Sequence, residues 1–286
     1  MTQSLSRRRV LGLATLALAT LLSPMAQGKD RRMRVFITGS TDGLGRDSAQ
    51  TLINEGHQVV LHSRSKQRAS ALADLAPKAA GVAIGDLSSA TETRALADQV
   101  NKIGRMDAVI HNAGIYREPN RGPTPDGHAK VLAVNVLAPY MLTQLIERPD
   151  RLIYLSSSMH YGGEASLRDV DWTERRWNTN QAYSDSKLFI TALAIALAKR
   201  WPKTVSSAVD PGWVPTKMGG AGAPDDLEEG HLTQTWLAVS DEPAAKVSGA
   251  YWHHRQQRKP AADALDTGFH DRLIAKLAEL TGVKLS

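Results

Sequence analysis

From Met33 onward, short apolar runs alternate with longer stretches in which apolar residues recur at helical spacing. The apolar runs are RVFIT, QVVLHS, GVAIGDL, DAVIHNAG, RLIYLSS and TVSSAVDPG. The helical stretches are GRDSAQTLINEG, KQRASALADLA, TETRALADQVNKI, HAKVLAVNVLAPYMLTQLI and the segment around QAYSDSKLFI. Strands that are apolar nearly throughout and are separated by helices predict a parallel sheet covered on both faces. We therefore expect an α/β fold with a doubly wound parallel sheet, in a single domain from about residue 30 onward.

Composition narrows the classes of function. Of the 286 residues, 42% are hydrophobic, which suits one domain with a sizeable core. The sequence has no cysteine, which excludes a structural disulfide and a thiolate metal site, and we expect no metal. The formal net charge is +6, of which Arg7, Arg8 and Arg9 supply half, and no Lys/Arg run is interleaved with aromatic residues. We therefore expect no nucleic-acid partner.

Residues 1–28 have the layout of an export signal. A basic start is followed by an apolar run over residues 10–22 and then by small residues. This run is shorter than the ~20 residues that span a bilayer. Residues 6–11, SRRRVL, resemble the twin-arginine export motif, so we expect a cytoplasmic precursor and an exported, periplasmic protein that begins near residue 29. The alternative is an uncleaved signal, which would be the only contact with a membrane.

A glycine-rich turn connects the first predicted strand to the first predicted helix. In ITGSTDGLGRD, Gly39, Gly43 and Gly45 leave room for a tight turn, for a pyrophosphate and for packing of the helix against the strand. The helix that follows supplies free backbone N–H groups and the positive end of its dipole. The turn therefore predicts nucleotide binding, and a purely structural turn is the alternative.

Tyr183 and Lys187 lie four residues apart in a predicted helix, so their side chains project from the same face. A cation beside a phenol favours the ionised form and lowers the phenol pKa from about 10. The pair therefore fits proton exchange with a substrate. The alternative is two solvated neighbours on a surface.

The glycine turn, the tyrosine–lysine pair and several further motifs resemble the short-chain dehydrogenase/reductase family, in its classical branch. The motifs follow the family's order: TGSTDGLG at 38–45, DL at 86–87, HNAG at 111–114, VNV at 134–136, LSSS at 155–158, YSDSK at 183–187 and PGWVPT at 211–216. The resemblance runs from about Arg34 to about Gly282, and HNAG, TPDGH and SSSMHYGG look most like retinol-dehydrogenase-like members. It implies a Rossmann-type fold over residues 29–286 and an NAD(P)-dependent oxidoreductase. Such an enzyme transfers a hydride between nicotinamide and a carbonyl or alcohol substrate.

The resemblance assigns four catalytic residues, Asn135, Ser157, Tyr183 and Lys187. Tyr183 would be the acid/base at the substrate oxygen, and Lys187 would lower its pKa and hold the nicotinamide ribose. Ser157 would hydrogen-bond the same oxygen, and the serines on either side of it stay open as alternatives. Asn135 would complete a relay that returns protons to solvent. The alternative for Asn135 is a polar residue that caps or kinks a buried helix.

The other motifs would hold the cofactor. The expected contacts are Gly39, Ser40, Thr41, Gly43, Leu44 and Gly45 in the glycine turn, Arg64 after the second strand, Asp86 and Leu87 after the third, Asn112, Ala113 and Gly114 after the fourth, Pro211, Gly212, Val214 and Thr216 after the sixth, and the tyrosine–lysine pair. Asp86 would hydrogen-bond the adenine or else cap the next helix, and Thr216 would lie near the nicotinamide carboxamide. His111 replaces the family's usual first asparagine, and we expect it to be packed in the sheet.

The end of the second strand predicts which nicotinamide cofactor is used. VVLHSRS carries Arg64 and no acid. An arginine there can pair with the 2′-phosphate of NADP, whereas an acid would repel it. We therefore expect NADP, with NAD less favoured. A solvated Arg64 is the alternative, and Asp42 in the glycine turn argues against NADP.

We expect the substrate to be a small carbonyl or alcohol compound, and we leave a homo-oligomer open. The segment between the serine and tyrosine motifs carries Trp172 and Trp177, which favour an apolar substrate unless they belong to the core. GGAGAPDDLEEGH, after Thr216, has the composition of a lid.

Two other functions on the same fold are the alternatives. An extended-type sugar epimerase or dehydratase shares the tyrosine and lysine but usually differs in glycine spacing and has a longer substrate domain. A non-catalytic NADP-sensing protein would be expected to have lost the serine, tyrosine or lysine, and all three are present.

Overall fold

Each of the six predicted apolar runs forms a strand in the computed structural model, which describes residues 31–285. These strands are β1 Arg34–Ile37, β2 Gln58–Ser63, β3 Gly81–Ile84, β4 Ala108–His111, β5 Arg151–Leu155 and β6 Val205–Asp210. Two short strands that the pattern did not predict follow, β7 Tyr251–His253 and β8 Gln256–Arg258. The strand order is β3-β2-β1-β4-β5-β6-β7-β8, parallel except between β7 and β8. The predicted doubly wound α/β fold is confirmed, and the predicted signal at residues 1–28 lies outside the described residues.

Residues 31–285 contain eight α-helices. They are α1 Gly43–Asn54, α2 Lys66–Ala69, α3 Ala90–Ile103, α4 Lys130–Leu132, α5 Ala138–Leu145, α6 Thr179–Arg200, α7 Glu229–Val239 and α8 Thr267–Thr281. A π-helical segment, Ala133–Leu137, joins α4 to α5. In this part of the chain no helix is both long and apolar enough to cross a membrane.

The helix predicted near KQRASALADLA is present but covers only the first four residues of this stretch. Helix α2 ends at Ala69 and is followed by short 3-10 turns at Ser70–Leu72 and Ala76–Lys78. The Ser70 hydroxyl donates to the carbonyl of Gln67 at 2.8 Å, and such local bonds compete with helix continuation. Pro77 also disfavours helical geometry in the residue before it.

The two faces of the sheet carry separate apolar clusters because side chains alternate along each strand. On β6, Ala208 belongs to the cluster formed with α3, α5, α6 and α8, whereas Val209 belongs to the cluster formed with α1 and α7. On β7, Tyr251 belongs to the same cluster as Ala208, and Trp252 belongs to the same cluster as Val209. Helix α6 therefore packs on one face of β5 and β6.

From β1 the chain builds the sheet outward to β2 and β3 on one side, and it then returns to add β4, β5 and β6 on the other side. Strands β1 and β4 are therefore neighbours at the point where the direction of winding reverses. Such a switch point leaves a crevice beyond the carboxyl ends of the strands. A β-carbon built on Gly39, after β1, would lie 3.1 Å from Cα of Ala113, after β4. The two predicted motifs therefore meet at this edge of the sheet.

Candidate active site

The glycine turn after β1 is held in a shape that side chains would disrupt. Gly39 and Gly43 have φ of +72° and +49°, in the left-handed region that favours glycine. A β-carbon on Gly45 would overlap the Gly39 carbonyl oxygen and the Asn112 side-chain amide. Asp42 caps α1 by accepting a hydrogen bond from the Gly43 N–H at 3.0 Å. The turn therefore presents backbone and the N-terminus of α1 to the crevice.

His62 fixes the position of this turn, and sequence analysis did not identify it. The Gly39 N–H donates to Nδ1 of His62 at 2.8 Å, and Nε2 of His62 lies 2.9 Å from the carbonyl oxygen of Gly85. Burial lowers the pKa of His62, which favours the neutral ring that both contacts need. A polar residue inside the apolar run QVVLHS is the signal that could have identified it.

The HNAG motif joins the glycine turn to the candidate catalytic residues. Asn112 donates to the carbonyl oxygen of Thr38 at 2.9 Å, and the Ala113 N–H donates to the Thr38 hydroxyl at 2.9 Å. A β-carbon on Gly114 would lie 3.5 Å from Oδ1 of Asn135 and 3.6 Å from Nζ of Lys187. Gly114 therefore leaves the crevice open next to both polar groups.

The segment after β6 contacts the glycine turn. A β-carbon on Gly43 would lie 3.5 Å from Cγ2 of Thr216, and one on Gly230 would lie 2.9 Å from both Leu44 and Val214. Lys217 forms an ion pair with Asp42. Ser40 and Thr41, the other turn residues, are buried and half-buried.

Pro211 and Gly212 begin the segment after β6, and both are half-buried. Gly212 has φ +85° and donates its N–H to Asp210 at 3.0 Å. The backbone therefore turns sharply at the carboxyl end of β6, as the close approach to a cofactor predicted there requires.

The residues expected at the adenosine end have different environments. Arg64 is exposed, and among the described residues no side chain bonds to it. Asp86 accepts from the backbone and hydroxyl of Ser88 at 2.9 and 2.8 Å, whereas the cap of α3 is Ser89, so the capping alternative for Asp86 is wrong. Leu87 lies in the apolar core.

Tyr183 lies in the first half of α6, buried to 7% exposure, and Ser157 is the serine whose hydroxyl acts to lower the pKa of its phenol. Ser156 is buried and bonds to the Thr191 hydroxyl at 2.6 Å, while Ser158 is exposed. Of the three serines in the motif, the structure brings Ser157 to the phenol. The Ser157 hydroxyl accepts from the Met159 N–H at 3.2 Å, so its own proton is free to be donated elsewhere.

Lys187 is buried one turn after Tyr183. Its ammonium donates to the carbonyl oxygen of Leu155 at 2.7 Å and lies 5.3 Å from the centre of the Tyr183 ring. Burial lowers the pKa of Lys187 to about 8, against which the Asp210 carboxylate acts. Burial raises the pKa of Tyr183, and the Ser157 hydroxyl acts in the opposite direction. The pKa of Tyr183 therefore lies above its usual value, contrary to the net lowering expected from Lys187, because desolvation of the phenol is the largest effect.

Asn135 lies in the π-helical segment between α4 and α5. Its carboxamide pairs with the backbone of Ile115, accepting from the N–H and donating to the carbonyl, both at 2.9 Å. It also donates to the Ser186 hydroxyl at 3.0 Å. The irregular helix and the bonded amide occur together, as π-bulges at functional sites often do. The sequence did not predict the π geometry.

His111 is packed in the sheet, as expected. Its ring stacks on Tyr154 with centres 4.6 Å apart, and Nε2 lies 3.2 Å from the Thr143 hydroxyl. Burial lowers its pKa to about 3, so the ring is neutral.

The tryptophans expected to line a substrate pocket belong to the core instead. Trp172 is 7% exposed, packs edge-on to Trp177 at 5.5 Å, and has the Arg175 guanidinium 3.5 Å above its ring. Two exposed aromatic residues that sequence analysis did not identify are Tyr161 and Trp213, 54% and 58% exposed. They follow the serine motif and the Pro211–Gly212 turn directly, and that position is the signal that could have identified them.

Sequence analysis did not identify Tyr116 either. Its ring lies 4.5 Å from the Tyr183 ring, and its hydroxyl donates to Asn180 at 2.7 Å.

Residues 31–285 contain no group of three His, Asp or Glu side chains that could hold a metal ion.

Comparisons with known proteins agree with this arrangement. The sequence model of the short chain dehydrogenase family matches residues 33–226. Short-chain dehydrogenase chry4 of Gibberella zeae is 41% identical over 256 residues, which cover 88% of this chain and 98% of that protein. Human retinol dehydrogenase 13 is 29% identical, over 87% of this chain and 85% of that protein.

A solved structure has the same fold. It is a crystal structure of an uncharacterized protein from Mycobacterium paratuberculosis, with a TM-score of 0.76 and 27% identity. The match covers 89% of this chain and 95% of that one. The glycine turn, the Ser157–Tyr183–Lys187 group and these relatives lead to one conclusion: the chain belongs to the short-chain dehydrogenase family, and it is an NAD(P)-dependent oxidoreductase acting on alcohol or ketone groups.

Proposed function

We propose that this protein is an NADP-dependent reductase or dehydrogenase in which Tyr183 is the acid/base. The observation that supports this best is the Lys187 ammonium 5.3 Å from the centre of the Tyr183 ring, together with a Ser157 hydroxyl that acts to lower the pKa of the phenol. A buried phenol beside a free hydroxyl donor gives two groups that can contact one substrate oxygen. The bound nicotinamide supplies or accepts the hydride.

Each group has a distinct task in carbonyl reduction. As the carbonyl carbon gains a hydride, the Tyr183 hydroxyl gives its proton to the oxygen, and the Ser157 O–H donates a hydrogen bond to it. Lys187 stabilises the resulting phenolate because its ammonium lies 5.3 Å from the ring centre. Asn135, fixed by Ile115 and Ser186, completes the path by which protons return. Alcohol oxidation reverses these steps.

The cofactor residues fit a dinucleotide. The glycine turn excludes β-carbons where a pyrophosphate would approach, and α1 presents its N-terminus there. Asn112, Ala113 and Gly114 would pass the adenosine ribose, and the segment from Pro211 to Thr216 would cover the nicotinamide.

Two charged residues bear on the preference for NADP, Arg64 in favour of it and Asp42 against it. Arg64 is exposed and available to a 2′-phosphate. Asp42, which argued against NADP in the sequence, pairs with Lys217 and lies 3.9 Å from Arg68. Its negative charge is therefore compensated before a phosphate arrives.

The substrate we propose is an apolar carbonyl or alcohol compound. Tyr116 packs on the Tyr183 ring, and the exposed rings of Tyr161 and Trp213 follow the serine motif and β6. Exposed aromatic side chains bind apolar ligands by removing their surface from water.

Export by the twin-arginine route remains a proposal that rests on residues 1–28 alone. Replacement of Arg7 and Arg8 by Lys is expected to retain folded precursor in the cytoplasm. Export of that variant at the normal level would contradict the proposal.

The experiment that tests the proposed activity is turnover of NADPH with a panel of aldehydes and ketones of increasing apolar surface. We expect oxidation of NADPH with apolar carbonyl compounds, and slower oxidation with NADH. No turnover of either cofactor with any compound, in either direction, would contradict the proposal.

A further inference from the structure

The carboxyl end of β6 carries a buried acid that the proposed mechanism does not use. Asp210 is 6% exposed. It follows Val209, which pairs with Leu155 at the end of β5, and the Val209 carbonyl accepts from the Ser156 N–H at 2.6 Å. Asp210 therefore lies in the sheet directly beside the serine motif.

Strand alternation places the Asp210 side chain on the face that carries the catalytic helix. Val209 points to the cluster with α1 and α7, so its neighbours Ala208 and Asp210 point to the face covered by α6. Tyr251 of β7 lies on the same face, and its hydroxyl donates to the Asp210 carboxylate at 3.1 Å. The Gly212 N–H donates to the other carboxylate oxygen at 3.0 Å. The carboxylate is thus held by two neutral donors.

The ionisable groups around Asp210 differ in how deeply they are buried. The groups that face it are Tyr183 and Lys187 of α6, Tyr251 and His253 of β7, His160 of the 3-10 turn at Ser158–Gly162, and Asp225 and His254 beside the Gly212 backbone. Its ion-pair contact within the described residues is His253, at 3.8 Å and 31% exposed. Lys187, by contrast, is a buried amine with 5% exposure. Lys187 is therefore the buried cation of α6 that faces Asp210.

We propose that Asp210 is a positioning residue whose negative charge keeps Lys187 as an ammonium and Tyr183 as a neutral phenol, and so prepares the site to reduce carbonyl compounds. A neutral phenol is the form that can give a proton to a carbonyl oxygen, and an ammonium is the form that stabilises the phenolate left behind. This inference rests on the proposed function and adds a preferred direction to it.

The electrostatics agree with this geometry. Asp210 raises the pKa of Lys187 against the lowering caused by burial. It also raises the pKa of Tyr183, in addition to the larger effect of burial. Both effects favour the protonated site, and both disappear if the carboxylate loses its charge.

Asp210→Asn is the sharpest test because an amide can keep both hydrogen bonds: its oxygen accepts from the Gly212 N–H, and its NH₂ donates to the Tyr251 oxygen. In the pH profile of kcat for carbonyl reduction, we expect the alkaline limb to move to lower pH by about one unit, since a nearby charge shifts a pKa by about 1 to 3 units. Alcohol oxidation should gain relative to reduction at neutral pH. Asp210→Ser, which also removes the charge, should shift the limb in the same direction.

Two control variants separate charge from structure. Tyr251→Phe breaks the hydrogen bond to Asp210 but keeps the charge, so its alkaline limb should stay near that of the unmutated protein. Asp225→Asn removes a carboxylate that bonds to the Trp213 N–H in the neighbouring loop, and it should leave the limb unchanged. An equal shift in Tyr251→Phe, or an unshifted limb in both Asp210 variants, would overturn the inference.

The outcomes also distinguish this inference from the proposed function. If Tyr183→Phe keeps its turnover, the proposed function itself fails. If Tyr183→Phe is inactive and the Asp210 variants keep the original pH profile, only the role of Asp210 fails.

Discussion

Helix α6 changes character halfway along its length. Its first half buries five polar or ionisable residues in succession around the reactive pair, Tyr183, Ser184, Asp185, Ser186 and Lys187. Its second half, from Leu188 to Leu197, buries an apolar surface under α8 and against β6. Burial of apolar surface stabilises the fold, whereas burial of an ionisable group opposes it. One helix therefore places stabilising apolar burial in one half and the reactive groups, whose burial opposes stability, in the other.

The largest expected effect on stability lies in the apolar half. Leu193→Ala removes a fully buried side chain from the α6 cluster. We expect the free energy of unfolding to fall by about 3 kcal/mol, since Leu→Ala in a core costs roughly 2 to 5 kcal/mol. Denaturant titration measures this change. Turnover per folded molecule should stay within severalfold, and a large loss of turnover at full folding would contradict the separation.

The reactive half should show the opposite result. Tyr183→Phe is expected to lower turnover by a factor of ~100 or more, equivalent to about 2.7 kcal/mol, because it removes the proton and keeps the ring. NADPH affinity and unfolding free energy should change little. Steady-state kinetics and cofactor titration measure both, and turnover within severalfold of the unmutated protein would contradict the assignment.

Lys187→Met sharpens the comparison further, since we expect a protein that is inactive but more stable. The pKa of Lys187 is about 8 in the folded protein, below about 10.4 for a free lysine, so the unfolded chain binds more protons between these values. Stability of the unmutated protein should therefore rise with pH from about 8 to 10.4, and this slope should be weaker in Lys187→Met. At neutral pH we expect a gain of about 2 kcal/mol, after allowance for the lost bond to Leu155. Unfolding curves at several pH values measure it, and a variant less stable than the parent would contradict this reasoning.

The smallest effect is expected far from α6. Arg64→Ala should weaken NADPH binding by about 1.5 kcal/mol and leave NADH binding almost unchanged, because the lost contact is charge-assisted and involves only the 2′-phosphate. Arg272→Ala, which removes an exposed arginine of α8 outside the proposed cofactor site, is the matched control. Equal weakening of both cofactors by Arg64→Ala would show that its role is structural.

The predictable part of the fold came from local patterns. Six strands and the reactive helix followed from apolar runs and helical spacing. Strands β7 and β8 were missed because each has three residues, and β8 is exposed, so neither shows apolar periodicity. Helix α2 was overestimated because the competing bond of Ser70 is not visible in hydrophobic spacing.

The candidate site was predictable where a motif has a fixed order. The glycine turn and the serine, tyrosine and lysine motifs lie at one edge of the sheet, as the sequence indicated. His62 and Asp210 were missed because each acts through contacts with residues distant in the chain, Gly85 and Tyr251 among them. The raised pKa of Tyr183 was missed for a related reason, since desolvation depends on the complete tertiary environment.

Hydride transfer assisted by Tyr183 is tested most directly with NADPH that carries deuterium at the transferable position of the nicotinamide. With an apolar ketone that the enzyme reduces, the account predicts deuterium on the carbinol carbon of the product, formed by the unmutated protein and at least ~100-fold more slowly by Tyr183→Phe. Product without the label, or equal rates for the two proteins, would contradict it.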